Sequence, residues 1–274
     1  MVSGTDLIST LPFAVATAFG IVVLLLEVFQ RPSFSRAYLG PVTAVGCAMT
    51  ALAAGLLSKL APTSVFGGMA ALDPYGMTLA VACAAAGGLA AMVAPAYLAE
   101  QRIDRGEYHA LILFAVAGMV AMVTATDFVT FFVGLEIQSV AMYALASYHR
   151  NSPRSAEAGA KYFILGAFAS AIFVYGVALL YGATGSTNFA EIGAALSRSL
   201  SGDAGTALSR AAEQGILTAA AGIVPDGPAG LENLNGVSPH VPMAAIGLLL
   251  VVVAFAVQIA AMGDRKSTRL NSSH

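Results

Sequence analysis

Charge is scarce in this chain. Only 10% of its 274 residues are Asp, Glu, Lys or Arg, while 58% are hydrophobic; a soluble domain carries roughly 25% charged residues. With a mean hydropathy of +0.78, a water-soluble core is excluded. Basic residues are not in excess either: the net charge is -2, and no run of Lys or Arg offers a phosphate-binding surface, which argues against a nucleic-acid partner. There are only two cysteines, Cys47 and Cys83, each inside an apolar block and forming no CxxC pair. They read as small buried hydrophobes, and neither a redox metal centre nor a structural zinc site is indicated. No glycine-rich phosphate cradle and no nucleophile–base pair is evident, so a hydrolase or nucleotide-binding enzyme is not expected. Short segments of alternating polarity, the mark of a membrane β-barrel, are also missing.

What is present is a series of apolar blocks near the ~20 residues that a helix needs to cross the hydrocarbon. They predict an all-α polytopic transmembrane bundle of about seven helices, near 8–29, 38–59, 74–98, 108–126, 128–149, 157–182 and 241–263. The start lacks the positive region of a cleaved signal, so the first block reads as a retained span. Asp73 before Pro74 suits a helix N-cap, and Asp127 marks a tight antiparallel hairpin between the fourth and fifth spans. The loops after spans one, three and five hold Arg31, Arg36, Arg102, Arg105, Arg150 and Arg154, whereas the opposite side has Lys59, Arg198 and Arg210. The bias places the N-terminus outside, in the periplasm of a Gram-negative cell. Residues 183–240 form a long Gly-, Ala-, Ser- and Pro-rich excursion with an expected amphipathic helix around 190–215. The tail 264–274 breaks with everything before it; a common short-read sequencing adapter translates in frame to this string, so it is expected to be an artefact and the natural chain to continue past Gly263.

Ionisable residues inside apolar blocks need a reason, because a charge at the bilayer centre costs at least ~2.5–3.5 kcal/mol on insertion scales. Glu136, midway along Phe128–His149, is the strongest such signal. Lys161 sits about one turn inside the next span, where snorkelling to the headgroups explains it as well as function does. Counting back from the loop, Glu136 lies deeper by ~13 Å at 1.5 Å per residue, so direct pairing is not required. A lysine whose charge is penalised by desolvation and favoured by a nearby carboxylate can take up or release a proton as that carboxylate changes, which is the elementary act of a pump. Gln138, Ser139, Tyr143 and Tyr162 are candidate waypoints, each equally readable as an anchor or packing hydrogen bond. Glu27 is expected at the headgroup level, His109 and His149 as solvated interfacial residues, and Gln258 as facing the bundle interior.

The stretch Gly106 to Phe114, then Asp127 to Glu136, then Tyr143 to Leu145, resembles the antiporter-like subunit N of bacterial NADH–quinone oxidoreductase, the relative of mitochondrial subunit 2. Arg154 to Gly166 and Leu180 to Gly185 extend the likeness, which is strongest over 106–189 and weaker over 70–105 and 241–263. The resemblance implies an inverted-repeat fold of which this chain is the N-terminal half, with N-terminal helices over 1–98 and the start of the first repeat over 99–263. It also implies a proton-translocating subunit in the bacterial inner membrane, docked among the other membrane-arm subunits, with Glu136 as modulating acid and Lys161 on the cytoplasmic-side proton path. NADH, FMN, iron–sulfur clusters and quinone would be handled elsewhere in the complex, with no cofactor in this chain. One departure stands out: where the family has a membrane-embedded lysine in span seven, this chain has Gln258, which cannot carry a proton as a cation. The rival readings are a subunit of a multi-protein cation/proton antiporter or membrane-bound hydrogenase, and a non-pumping scaffold.

Overall fold

A computed structural model describes residues 4–30, 36–101, 103, 106–201 and 240–263. Among these residues, seven helices are long and apolar enough to cross a membrane. The order is α1 (Gly4–Ser9), α2 (Leu11–Phe29), α3 (Leu39–Leu57), β1 (Thr63–Val65), β2 (Ala70–Leu72), α4 (Pro74–Glu100), α5 (Glu107–Thr124), α6 (Phe128–Ala146), α7 (Pro153–Thr184), α8 (Phe189–Ser201) and α9 (His240–Gly263). The chain divides into two compact units, one through Ala167 and one from Phe168.

In the first unit, α2 to α5 pack around a core in which small residues alternate with larger ones: Ala16, Cys47, Ala54, Ala80, Ala84, Ala110 and Ala117 are buried beside Val23, Leu39, Met77, Leu113 and Val116. Helices surrounded by lipid gain little from burying apolar surface against one another, so close backbone approach carries the association. The ring of Phe19 lies where a Cβ on Gly46 would stand, at 2.9 Å. Two helix starts are capped by aspartates, Asp73 as the sequence predicts and Asp127 in addition to marking the turn before α6. Asp73 accepts from the Gly76 amide at 3.1 Å, and Asp127 accepts from the Val129 and Thr130 amides at 2.7 and 3.2 Å. Asp127 is buried, so its cap is sheltered from competing water. Replacing it by Ala should cost about 1 kcal/mol, read as a lower thermal midpoint of the detergent-solubilised full-length protein.

The all-α expectation needs one addition. Between α3 and α4 runs a small antiparallel hairpin, with Thr63 opposite Leu72 and Val65 opposite Ala70. Its tip, Phe66 to Gly68, has positive φ at all three residues. Two are glycines; Phe66 adopts a conformation unfavourable for a side chain, and its amide donates to Asp6 Oδ1 at 2.9 Å, which holds the turn. The hairpin docks on the α5–α6 turn: Ala70 bridges to Ala125, the Thr126 amide donates to Met69 O, and Thr126 Oγ1 donates to Gly68 O. It escaped the sequence reading because three-residue strands are too short to show periodicity.

In the second unit α7 and α9 cross at glycine: a Cβ on Gly176 would lie 2.8 Å from the Gly247 carbonyl, and the reverse holds. Phe173 and Phe255 meet edge to face at 5.7 Å. Within the described part of the helix expected around 190–215, Phe189–Ser201 forms α8, with Ile192 buried. The remainder of the 183–240 excursion beyond Ser201, the tail 264–274, and the arginines at 31, 102 and 105 that set the expected orientation lie outside the described residues.

Candidate functional site

Glu136 is placed by the crossing of α5 and α6. Gly118 on α5 and Gly134 on α6 face each other so closely that a Cβ on Gly118 would stand 2.7 Å from the Gly134 carbonyl and 2.5 Å from the Gln138 amide. A Cβ on Gly134 would in turn stand 2.8 Å from the Met122 amide. The turn of α6 carrying Glu136 therefore lies between two backbone contacts and has little room to shift. Glu136 is half-buried and lines an apolar recess of about 400 Å³ with Leu111, Phe114, Ile137, Val140 and Ala141. Ser139 is buried and Gln138 half-buried on the same stretch.

Lys161 has a partner close to home. Its ammonium lies 2.6 Å from Glu157 Oε1, one turn earlier on α7, and both side chains are about two-thirds exposed, at 68% and 63%. The pair was legible as a Glu–Lys spacing of four, the favourable orientation on a helix, but the sequence reading gave Glu157 no role. α7 also begins earlier than expected, at Pro153, so Lys161 is more than two turns into the helix rather than one.

The packing of α6 against α7 fixes how far apart acid and lysine stand. A Cβ on Gly159 would overlap the Ser147 side chain, and one on Gly166 would overlap the Tyr143 hydroxyl. With the two helices antiparallel in this register, Lys161 lies abreast of the last turn of α6. Glu136 is then about nine residues further along the bundle, ~14 Å at 1.5 Å per residue. Between these levels sits an aromatic cluster. The buried ring of Tyr143 meets Tyr162 edge to face at 4.8 Å and Phe163 at 5.8 Å.

One expectation is corrected. His109 is not solvated: it is fully buried at the start of α5, with its ring 6.1 Å from Tyr108. It follows Gly106 by one turn and faces the core, which its position at a span end concealed. Glu27, near the end of α2, is paired. Both carboxylate oxygens accept from Arg36 Nε at 2.8 Å, with only 13% and 25% of the two side chains exposed, and Glu27 Oε2 lies 2.5 Å from where a Cβ on Gly106 would be. The ion pair thus closes the α2–α3 turn over the start of α5. Gln258 on α9 is buried, as expected. No group of three His, Cys, Asp or Glu able to hold a metal occurs among the described residues.

Seven membrane-length helices among the described residues, one of them carrying a half-buried carboxylate beside a glycine crossing, define a polytopic membrane protein. The chain belongs to the NADH:quinone oxidoreductase/Mrp antiporter transmembrane family, whose model matches residues 125–263. It is 39% identical over 204 residues to NADH-quinone oxidoreductase subunit N of Myxococcus xanthus, covering 73% of this chain and 38% of that protein. Subunit N of Chloroflexus aggregans is 40% identical over 189 residues, covering 69% of this chain and 38% of the relative. The chain therefore spans under two-fifths of the length of these relatives. Among solved structures, the membrane-bound sulfane sulfur reductase, an archaeal respiratory membrane complex, shares the fold at a TM-score of 0.61 and 19% identity, over 90% of this chain and 44% of that one. Respiratory complex I from Thermus thermophilus matches with a TM-score of 0.52 and 24% identity, over 92% and 51%.

Proposed function

We propose that this chain serves as a membrane-arm subunit of an NADH–quinone oxidoreductase and helps to couple electron transfer to proton translocation through Glu136 and Lys161. The observation that carries the reading is the 39% identity to a subunit N over 204 residues, a stretch long enough to tell subunits apart where fold likeness alone does not. The acid lies within the matched family segment, at a position whose cost in the bilayer demands a role. In this reading Glu136 is the modulating acid, and Lys161, held by Glu157, exchanges protons on the loop side. Gln138 and Tyr143 lie along the stretch between them. Gln258 supports the path by hydrogen bonding only, since an amide does not carry a proton as a cation. Flavin, iron–sulfur and quinone chemistry belongs to other subunits, and the arrangement is multi-pass in a bacterial inner membrane with the N-terminus periplasmic. The repeat that begins near residue 99 carries the path; the helices before it, 1–98, brace it.

An antiporter or hydrogenase subunit would use the same fold, and a scaffold would not use Glu136. A deletion–complementation experiment separates the proposed role from that of an antiporter subunit. Membranes lacking the full-length protein should lose NADH-driven proton uptake and regain it on complementation. Retained NADH-driven uptake with loss of sodium–proton exchange would instead assign the chain to an antiporter.

A further inference from the structure

We infer that Phe114 is a positioning residue for Glu136: its ring sets the bore of the recess beside the acid, and Gly20 on α2 sets where that ring stands. This rests on the relay reading proposed above. Phe114 and Leu111 form the α5 wall of the apolar recess of about 400 Å³ that Glu136 lines, and Val140, 58% exposed, forms its outer rim. The same ring packs on α2. It occupies the space that a side chain at the buried Gly20 would need, with Cε1, Cζ and Cδ1 at 2.9, 3.1 and 3.2 Å from the Cβ position. Phe114 precedes Gly118 by one turn and shares its side of α5, so the ring lies between α2 and the glycine crossing that holds Glu136.

The two walls of the recess differ in their freedom. On α6, the turn bearing Glu136 is fixed by the backbone contacts at Gly118 and Gly134. On α5, the Phe114 wall is the far end of a side chain, and it stands where it does because residue 20 has no Cβ. A methyl group at position 20 drives the ring away from α2, and the recess lies on that side. The space beside the carboxylate then fills with hydrocarbon, and desolvation disfavours the charged form of a carboxylate. The other lining residues, Leu111, Ile137, Val140 and Ala141, are aliphatic, so no second charge in the recess offsets the change. α2 contributes no side chain to the recess, yet through Gly20 and Phe114 it sets the surroundings of the acid.

The test uses the full-length protein in its assembled complex, in inverted membrane vesicles, with values normalised to complex content on native gels. One readout is the covalent labelling of Glu136 by dicyclohexylcarbodiimide, an apolar reagent that adds to carboxyl groups, followed by peptide mass spectrometry. The other is the ratio of protons taken up to NADH oxidised in unlabelled vesicles. Gly20→Ala should slow the labelling several-fold and lower the ratio. Adding Phe114→Leu, which removes the two ring atoms nearest the new methyl group, should restore both, and Phe114→Leu alone should label several-fold faster than the unaltered protein. Should Gly20→Ala fail to assemble, the faster labelling of Phe114→Leu carries the prediction alone. Unchanged labelling in the single variants, or a loss in Gly20→Ala that Phe114→Leu does not restore, would overturn the link from Gly20 through Phe114 to the recess and leave the relay standing. Glu136 unlabelled in every variant would overturn the recess as an opening to the acid. Labelling that follows the expected pattern beside a proton ratio that never changes would overturn the relay reading itself.

Discussion

Replacing Gly134 by Leu should prevent the first unit from assembling, and the full-length protein should be lost from membranes or fail to enter a complex. The obstacle is steric. A Cβ at 134 would already stand 2.8 Å from the Met122 amide and 2.9 Å from the Gly118 carbonyl, and these are backbone atoms of a helix that cannot swing aside. α5 and α6 must separate to admit a larger side chain, which forfeits the close contact that holds lipid-embedded helices together. Overpacking costs about 1–3 kcal/mol in cores whose side chains can adjust, and a backbone-to-backbone crossing lies at the upper end. Gly134→Ala should show a smaller loss in the same direction. Quantifying the subunit in membranes by immunoblot, and its assembly by native gel, checks both; a leucine variant that assembles normally would show that the crossing is not tight.

The second large effect is expected at Glu27. Changing it to Ala leaves the Arg36 guanidinium, only 25% exposed, without its carboxylate at the end of the bundle. Breaking a mostly buried pair from one side costs about 3 kcal/mol or more, because the remaining charge keeps its desolvation penalty. The start of α5 packs directly on that pair, so the loss should reach His109 and the glycine crossing further along the same helix. The double variant Glu27→Ala with Arg36→Met should recover much of the loss, since it removes the stranded charge. Thermal denaturation of the detergent-solubilised complex separates the two. A double variant as unstable as the single one would mean that the pair contributes through packing alone.

The sequence showed best what depends on short range. Apolar runs gave the seven spans because length in a bilayer is set by the hydrocarbon thickness, and Asp73 announced its helix start because a cap is a contact over two or three residues. The pairing of Glu27 with Arg36 was hidden, although both residues were in view, because it depends on how the turn between α2 and α3 closes. Glu136 stood out by its cost. The partner of the lysine, Glu157, came from its own helix. The seat of Tyr143 on Gly166 had no sequence signal at all: nothing along α6 says which residue of α7 it will meet. Such contacts are set by the register of two helices, and register is a property of the packed bundle.

The central claim is that Glu136 carries the coupling of proton movement to electron transfer. It is tested most directly by the ratio of protons taken up to NADH oxidised in vesicles whose complex carries Glu136→Gln in the full-length protein, beside Glu136→Asp, which keeps the carboxylate on a shorter side chain. The account predicts a complex assembled to normal levels, a markedly lower ratio for Gln, and partial recovery for Asp. An unchanged ratio in the assembled Gln variant would contradict it.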